Sequence, residues 1–327
     1  MLLKIFKSSR PTVLFLIPVA GILLWGKAFF DPPRCGFGFD SISMPLYELI
    51  AGWLTCPSLL SVILATIFVI IQAMIVNRLN ALFILTEGRS YMPALFYILI
   101  SGSYAGLQRM HPALIANFFL LFAVYKILIA YRSEKAFSSF FDAALLISAG
   151  SLFYAGLIYY IILLWIGIIV LRPFNPKEWL ITLIGIIIPY APVVAYYFLT
   201  DRLAVFPETI KSSMVFTDPL TKLNIYYYIL YAFLALFVFF SLLALFTGLS
   251  GKKITTRKYY LFFFWMLLIS AVFVLISFIT SVEIIVILAI PASYFLSFRF
   301  STIKSAFRGE LWFTLLVAAV FFIRYMN

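Results

Sequence analysis

Charge is scarce in this chain. Only 11% of its 327 residues are Asp, Glu, Lys or Arg, less than half the roughly 25% of a soluble domain. Apolar residues make up 65%. A soluble fold of this size could not hide that much apolar surface from water, so the composition excludes a soluble enzyme and indicates a polytopic membrane protein. Histidine occurs once (His111) and cysteine twice (Cys35 and Cys56). No spacing of these residues suggests a zinc site, and there is no P-loop and no GxGxxG dinucleotide motif. Long polar stretches are missing too. The longest loops run about 20–30 residues, too short for an independent domain. Residues 1–327 therefore read as a single integral membrane domain.

What the chain does have is aromatic residues and a one-sided charge. The 37 Phe and 20 Tyr suit the aromatic belts where spans meet the interface. The net charge of +12 points to Lys and Arg facing anionic lipid headgroups rather than to nucleic acid. Lys4, Lys7 and Arg10 precede an apolar run from Pro11 to Phe30 with no small-residue cleavage site. This reads as an uncleaved signal anchor that is also the first span.

Runs of about 17–25 apolar residues between polar clusters mark the spans. They fall at 12–30, 58–77, 91–107, 112–130, 179–199, 223–247, 259–280, 284–298 and 311–323. The stretch 140–171 would make one helix about 48 Å long, beyond a hydrocarbon core of about 30 Å. Gly150, Ser151 and Gly156 lie in its middle, so it reads as two short spans, 140–154 and 157–171. Prolines at 189, 192 and 291 predict kinks. With the N-terminus placed in the cytoplasm, every inside segment is net positive, as the positive-inside rule requires. Merging 140–171 would put the cluster Lys252, Lys253, Arg257 and Lys258 outside. The expectation is an all-α bundle of about eleven spans, N-terminus cytoplasmic and C-terminus outside, with outer loops at about 31–57 and 200–222.

The candidate chemistry lies on the outer side. Asp31, Asp40 and Glu48 fall in the first outer loop. A carboxylate at a cavity mouth can serve as general base on an acceptor hydroxyl, or hold a divalent cation on a diphosphate. They read equally as a solvated acidic loop. Cys35 and Cys56 share this loop, where an oxidising periplasm would permit a disulfide; two unpaired thiols are the other reading. Leu46, Leu49, Ile50 and Trp53 at helical spacing suggest a short interfacial helix over 46–54 or an early start of the next span. Arg109 and His111 sit together at an outer turn and can hold a phosphate; Arg202 is a further candidate of that kind. Asp142 lies at a span end, as an intramembrane acid or a helix cap. Gly102-x-x-x-Gly106 would allow close helix packing.

The segments Pro45-Leu46-Tyr47-Glu48-Leu49, Asn77-Arg78-Leu79, Pro112-Ala113-Leu114-Ile115-Ala116-Asn117 and Arg172-Pro173-Phe174-Asn175-Pro176-Lys177-Glu178-Trp179, with Pro189-Tyr190, resemble a family of multi-spanning Bacteroidetes membrane proteins. That resemblance covers most of the chain and implies a bacterial inner-membrane location; it brings no activity with it. In layout the chain is also similar to GT-C glycosyltransferases. That resemblance implies a polyprenyl-linked sugar donor, Asp31 or Asp40 as base, Glu48, Arg109, His111 and Arg202 around the substrate, and an optional divalent cation. The first loop is short for that class, and Asp31 is followed by Pro rather than a second acid. A lipid or small-solute transporter and a non-enzymatic scaffold for an unidentified protein partner are the other two expectations.

Overall fold

A computed structural model describes residues 2–8, 12–33, 44–52, 58–86, 90–131, 133, 136–214, 224–277, 282–303 and 305–326. Asp40, Cys35 and Cys56 lie outside the described residues, and with them the second candidate base and both readings of the cysteine pair. Among the described residues the structure is helical and without strands, since apolar backbone in hydrocarbon must satisfy its own hydrogen bonds.

The helices are α1 (Leu2–Lys7), α2 (Thr12–Phe30), α3 (Pro45–Ala51), α4 (Leu59–Phe83), α5 (Met92–Ser101), α6 (Pro112–Ala130), α7 (Ala136–Ser151), α8 (Ile161–Leu171), α9 (Pro176–Ile187), α10 (Tyr190–Leu199), α11 (Val205–Met214), α12 (Ile225–Gly248), α13 (Ile254–Ser277), α14 (Ile284–Thr302) and α15 (Ala306–Met326). Eight are long and apolar enough to cross a membrane, with α9 and α10 taken together: α2, α4, α6, α9–α10, α12, α13, α14 and α15. Three shorter apolar helices cover 92–101, 136–151 and 155–171. The chain is a helical, multi-pass integral membrane protein.

The stretch 140–171 is broken into two helices, α7 and α8, joined by a turn and a 3-10 segment over 155–160, each shorter than the eight helices of crossing length. Gly150 is needed at that turn. A Cβ there would come within 2.4 Å of Leu157 Cδ2 and 2.9 Å of Phe119 Cβ. Several boundaries differ from the expected ones. The helix expected over 91–107 stops at Ser101, and 102–111 continues as irregular backbone with one 3-10 turn. The Gly102-x-x-x-Gly106 pattern is therefore not a helix-packing face. Gly102 instead ends α5 against Trp25, whose ring a Cβ would meet at 2.4 Å. Residues 201–222 are not simply a polar loop, because α11 forms within them. Pro189 divides α9 from α10, whereas Pro291 lies inside a continuous α14. Helix α4 runs past Arg78 to Phe83, and α13 starts at Ile254, ahead of Arg257 and Lys258.

Packing centres on α14, which is almost wholly buried and lies against α5, α6, α12 and α13. Its small and aromatic residues alternate at the contacts: Ser293 and Ser297 are fully buried, as are Tyr294, Phe295 and Phe298. Lipid tails are as apolar as leucine, so such helices associate through close packing and interhelical hydrogen bonds. Three buried polar side chains supply one such knot between α4, α5 and α6. The Tyr97 hydroxyl donates to Gln72 Oε1 at 2.6 Å, and Asn117 Nδ2 donates to the Tyr97 oxygen at 2.8 Å. Gln72 Nε2 in turn donates to the Leu114 carbonyl at 2.7 Å. By contrast α9, α10, α12 and α15 leave most of their apolar residues exposed, as lipid-facing helices do.

The contacts at the helix ends fall into two separate sets. On one face, the Glu310 carboxylate accepts from the N–H groups of Leu3 and Lys4, Lys7 Nζ donates to the Ser301 carbonyl, and Tyr91 N–H donates to the Phe6 carbonyl. The Tyr260 hydroxyl reaches the Leu85 carbonyl there, and Arg172 reaches the carbonyls of Ala130 and Ser133. On the other face, Leu46 N–H donates to the Leu152 carbonyl, Met110 N–H to Ser61 Oγ, and α11 packs on 155–160. The first set joins the segments expected inside, and the second joins those expected outside. They are called the basic face and the far face below.

Candidate site on the far face

Arg109 and His111 belong to the irregular segment between α5 and α6. A lone histidine at a span end is ordinarily interfacial, but here burial goes much further: Arg109 is 4% exposed and His111 1%. The segment gets there because α5 is short. Its ten residues rise about 15 Å, so the chain must cover the remaining depth without helix. Non-helical backbone is tolerated at membrane depth only where protein surrounds it. Gln108 supplies part of that shelter, its Nε2 donating to the carbonyls of Gly102 at 2.9 Å and Leu24 at 3.2 Å. Ser61 Oγ accepts from Met110 N–H at 2.9 Å. Ser103 shares a hydrogen bond with the Tyr231 hydroxyl at 3.3 Å, and Tyr104 packs edge-on to Tyr227 at 4.8 Å.

A guanidinium and an imidazole just beneath the far face are groups that can hold a phosphate oxygen.

The other expected residues are placed differently. Asp31 is exposed, one residue past α2, with its N–H bonded to the Lys27 carbonyl at 2.9 Å. Glu48 is exposed on α3, which is anchored by buried Tyr47 and by the Leu46–Leu152 hydrogen bond. Arg202 is exposed just before α11. Phe206 of α11 packs on the rings of Tyr190 and Tyr197 at 6.3 and 5.4 Å. The far face thus has a buried basic pair, Arg109 and His111, and the exposed Glu48 and Arg202. No described contact joins Asp31 to either. No group of three His, Cys, Asp or Glu converges among the described residues.

Two charged pairs on the basic face were not singled out as pairs in the sequence. Asp142 does not cap a helix; it accepts from Lys126 Nζ at 2.7 Å. Glu178, fully buried, lies 3.2 Å from Arg172 Nε through Oε1. The signal for this pair was there: Asn175 followed by Pro176 and, three residues on, Glu178 is a helix start. Asn175 Oδ1 caps α9 by accepting from Lys177 N–H. The Gln72–Tyr97–Asn117 knot had no signal beyond three polar residues inside apolar runs.

No protein-family model matches the chain, and no curated protein and no solved structure matches it either.

Proposed function

We propose that this is a bacterial inner-membrane protein with about eleven crossings, its basic face cytoplasmic, that acts on a polyprenyl-phosphate-linked sugar at the far face in the manner of a GT-C transferase. The observation that carries this reading is the burial of Arg109 beside His111 in an unwound segment at the end of a short helix. Discontinuous helices of this kind build binding sites for charged groups in membrane proteins. Arg109 would balance the charge of the lipid phosphate, and His111 would hydrogen-bond it. Asp31 or Asp40 would take the proton of the acceptor hydroxyl as its oxygen bonds to the sugar carbon. The sugar–phosphate bond would break with its electron pair left on the phosphate, next to Arg109. Glu48 and Arg202 would contact the sugar or acceptor, and a divalent cation on the phosphate is compatible with the exposed carboxylates.

The test is binding of a short-chain polyprenyl phosphate to purified protein in nanodiscs. Native mass spectrometry is expected to show retention by the wild type and by Asp31→Asn, and loss in Arg109→Gln. Equal retention by Arg109→Gln would sink the reading. Turnover lost in both Asp31→Asn and Asp40→Asn, with binding kept, separates chemistry from binding. A non-enzymatic scaffold is the second reading, favoured by the close packing around α14. It predicts a stoichiometric protein partner on co-purification and tolerance of every far-face substitution.

A further inference from the structure

The Lys126–Asp142 ion pair is set apart by its position. Lys126 lies on α6, four residues before its end at Ala130, and Asp142 lies six residues into α7. At 1.5 Å per residue they are about 6 Å and 9 Å inside the basic face. Their 2.7 Å contact holds the two charges at one depth, yet the side chains stay 38% and 37% exposed. Charges at such depth ordinarily face the bundle interior or a water-filled cavity. The neighbouring Arg172–Glu178 pair is the ordinary case, with side chains 25% and 3% exposed. A lysine can carry its ammonium outward along an apolar stem. The short aspartate cannot, and the contact keeps Lys126 down at its level.

The surface around the pair is made of two helix stripes. On α6, Phe122 and Ile129 stand four and three residues from Lys126; on α7, Ser138 and Leu145 stand four and three residues from Asp142. Each set therefore shares one helix face. Phe122 and Ser138 are exposed, and Ile129 and Leu145 are half-buried. Helices α6 and α7 pack closely along their length, so the two stripes form one surface with a cation and an anion side by side. That pattern is complementary to itself. A two-fold axis along the membrane normal leaves every residue at its own depth and makes the contact isologous. It brings Lys126 of one copy level with Asp142 of the other, and Asp142 level with Lys126.

We propose that this α6–α7 surface is the contact between two copies of the chain within the membrane, related by a two-fold axis along the membrane normal. The two ion pairs close into a ring of four alternating charges and so shield one another from lipid. Ser138 lets the backbones approach, and Phe122 fills the interface one turn deeper. A zwitterionic lipid also carries one charge of each sign, but its headgroup lies outside the hydrocarbon core and not about 6–9 Å inside the helix ends. An unrelated protein would have to bring a matching pair at the same depth, which a second copy supplies by symmetry. The contact does not depend on the reaction proposed at Arg109.

The experiment exchanges charges between copies. Lys126→Asp leaves two anions on the surface and Asp142→Lys leaves two cations, so each variant repels itself and attracts the other. Wild type, each variant alone, and the two variants co-expressed are each made with two different tags, captured on both tags in sequence from mild detergent, and weighed by native mass spectrometry. The wild type is expected as a dimer, each variant alone at a yield lower by about tenfold, and the mixed pair near the wild-type yield. Recovery in the mixed pair cannot come from an ion pair within one copy, and it shows that both variants fold. A second measurement leaves the charges intact. With Cys35 and Cys56 replaced by Ser, Phe122→Cys should form a disulfide between copies when membranes are oxidised with copper phenanthroline, and Leu243→Cys, on the exposed side of α12, should not. A monomeric wild type, with or without bound lipid, would overturn the proposal. So would equal dimer yield from each variant alone, or a disulfide through Leu243→Cys and none through Phe122→Cys.

Discussion

Arg172 Nε lies 3.2 Å from Glu178 Oε1, and the same guanidinium donates through Nη1 to the carbonyls of Ala130 at 3.1 Å and Ser133 at 2.9 Å. One side chain thus ties the end of α6 to the start of α9. Glu178→Ala would strand a cation that is three-quarters buried and should destabilise by about 2–4 kcal/mol. Replacing both residues with Met should recover much of that loss. Thermal unfolding of the two single variants and the double in detergent gives the coupling. A purely additive cycle would show that the pair has no such role.

The Tyr97 hydroxyl bridges Gln72 and Asn117 in the apolar core. Tyr97→Phe leaves the ring packing intact and removes both hydrogen bonds. The expected cost is about 1–2 kcal/mol, seen as a lower Tm, with the far-face pair Arg109 and His111 undisturbed. A variant as stable as wild type would show that the knot contributes specificity rather than stability.

Ile84 caps α4 with φ 49° and ψ 53°, a left-handed conformation that a β-branched residue strongly disfavours. The conformation is held from inside. Asn80 accepts from Thr86 N–H and donates to Thr86 Oγ1 and the Ser90 carbonyl. Since the Ile84 side chain is exposed, Ile84→Gly should relieve strain at little packing cost and stabilise by about 1 kcal/mol. A destabilised variant would mean that the isoleucine side chain, anchored in the interface, matters more than the backbone strain.

The separation of contacts into two faces can be tested without knowing the activity. With Cys35 and Cys56 replaced by Ser, Lys253→Cys and Arg202→Cys should react with a membrane-impermeant maleimide from opposite sides of the membrane. In spheroplasts, Arg202→Cys is expected to label and Lys253→Cys only after lysis. Labelling of both before lysis would reject the topology.

Much of this architecture was legible along the chain. The apolar runs gave nearly every long helix, and the basic segments showed which ends belong together, because lipid exposes a whole span to one environment and forces helix formation. The division of 140–171 followed from its length, the glycines in its middle and the charge count of the segments after it. What failed was local. The run 91–107 is apolar throughout, so nothing in composition marks the end of α5 at Ser101; the close approach of Trp25 and Leu24 to Gly102 decides it. Helix α11 was hidden among polar residues, since a short amphipathic helix at a surface has no span-length signal.

The sequence by itself determined the class of molecule, its helical content and the sorting of its basic segments, because these depend on transfer between water and lipid, a property each stretch carries alone. Only the tertiary structure decided that Arg109 and His111 are buried rather than interfacial, and that Gln72, Tyr97 and Asn117 form one knot. These depend on which helix packs beside which, and lipid-facing and protein-facing apolar residues look alike in a sequence until a neighbour covers them.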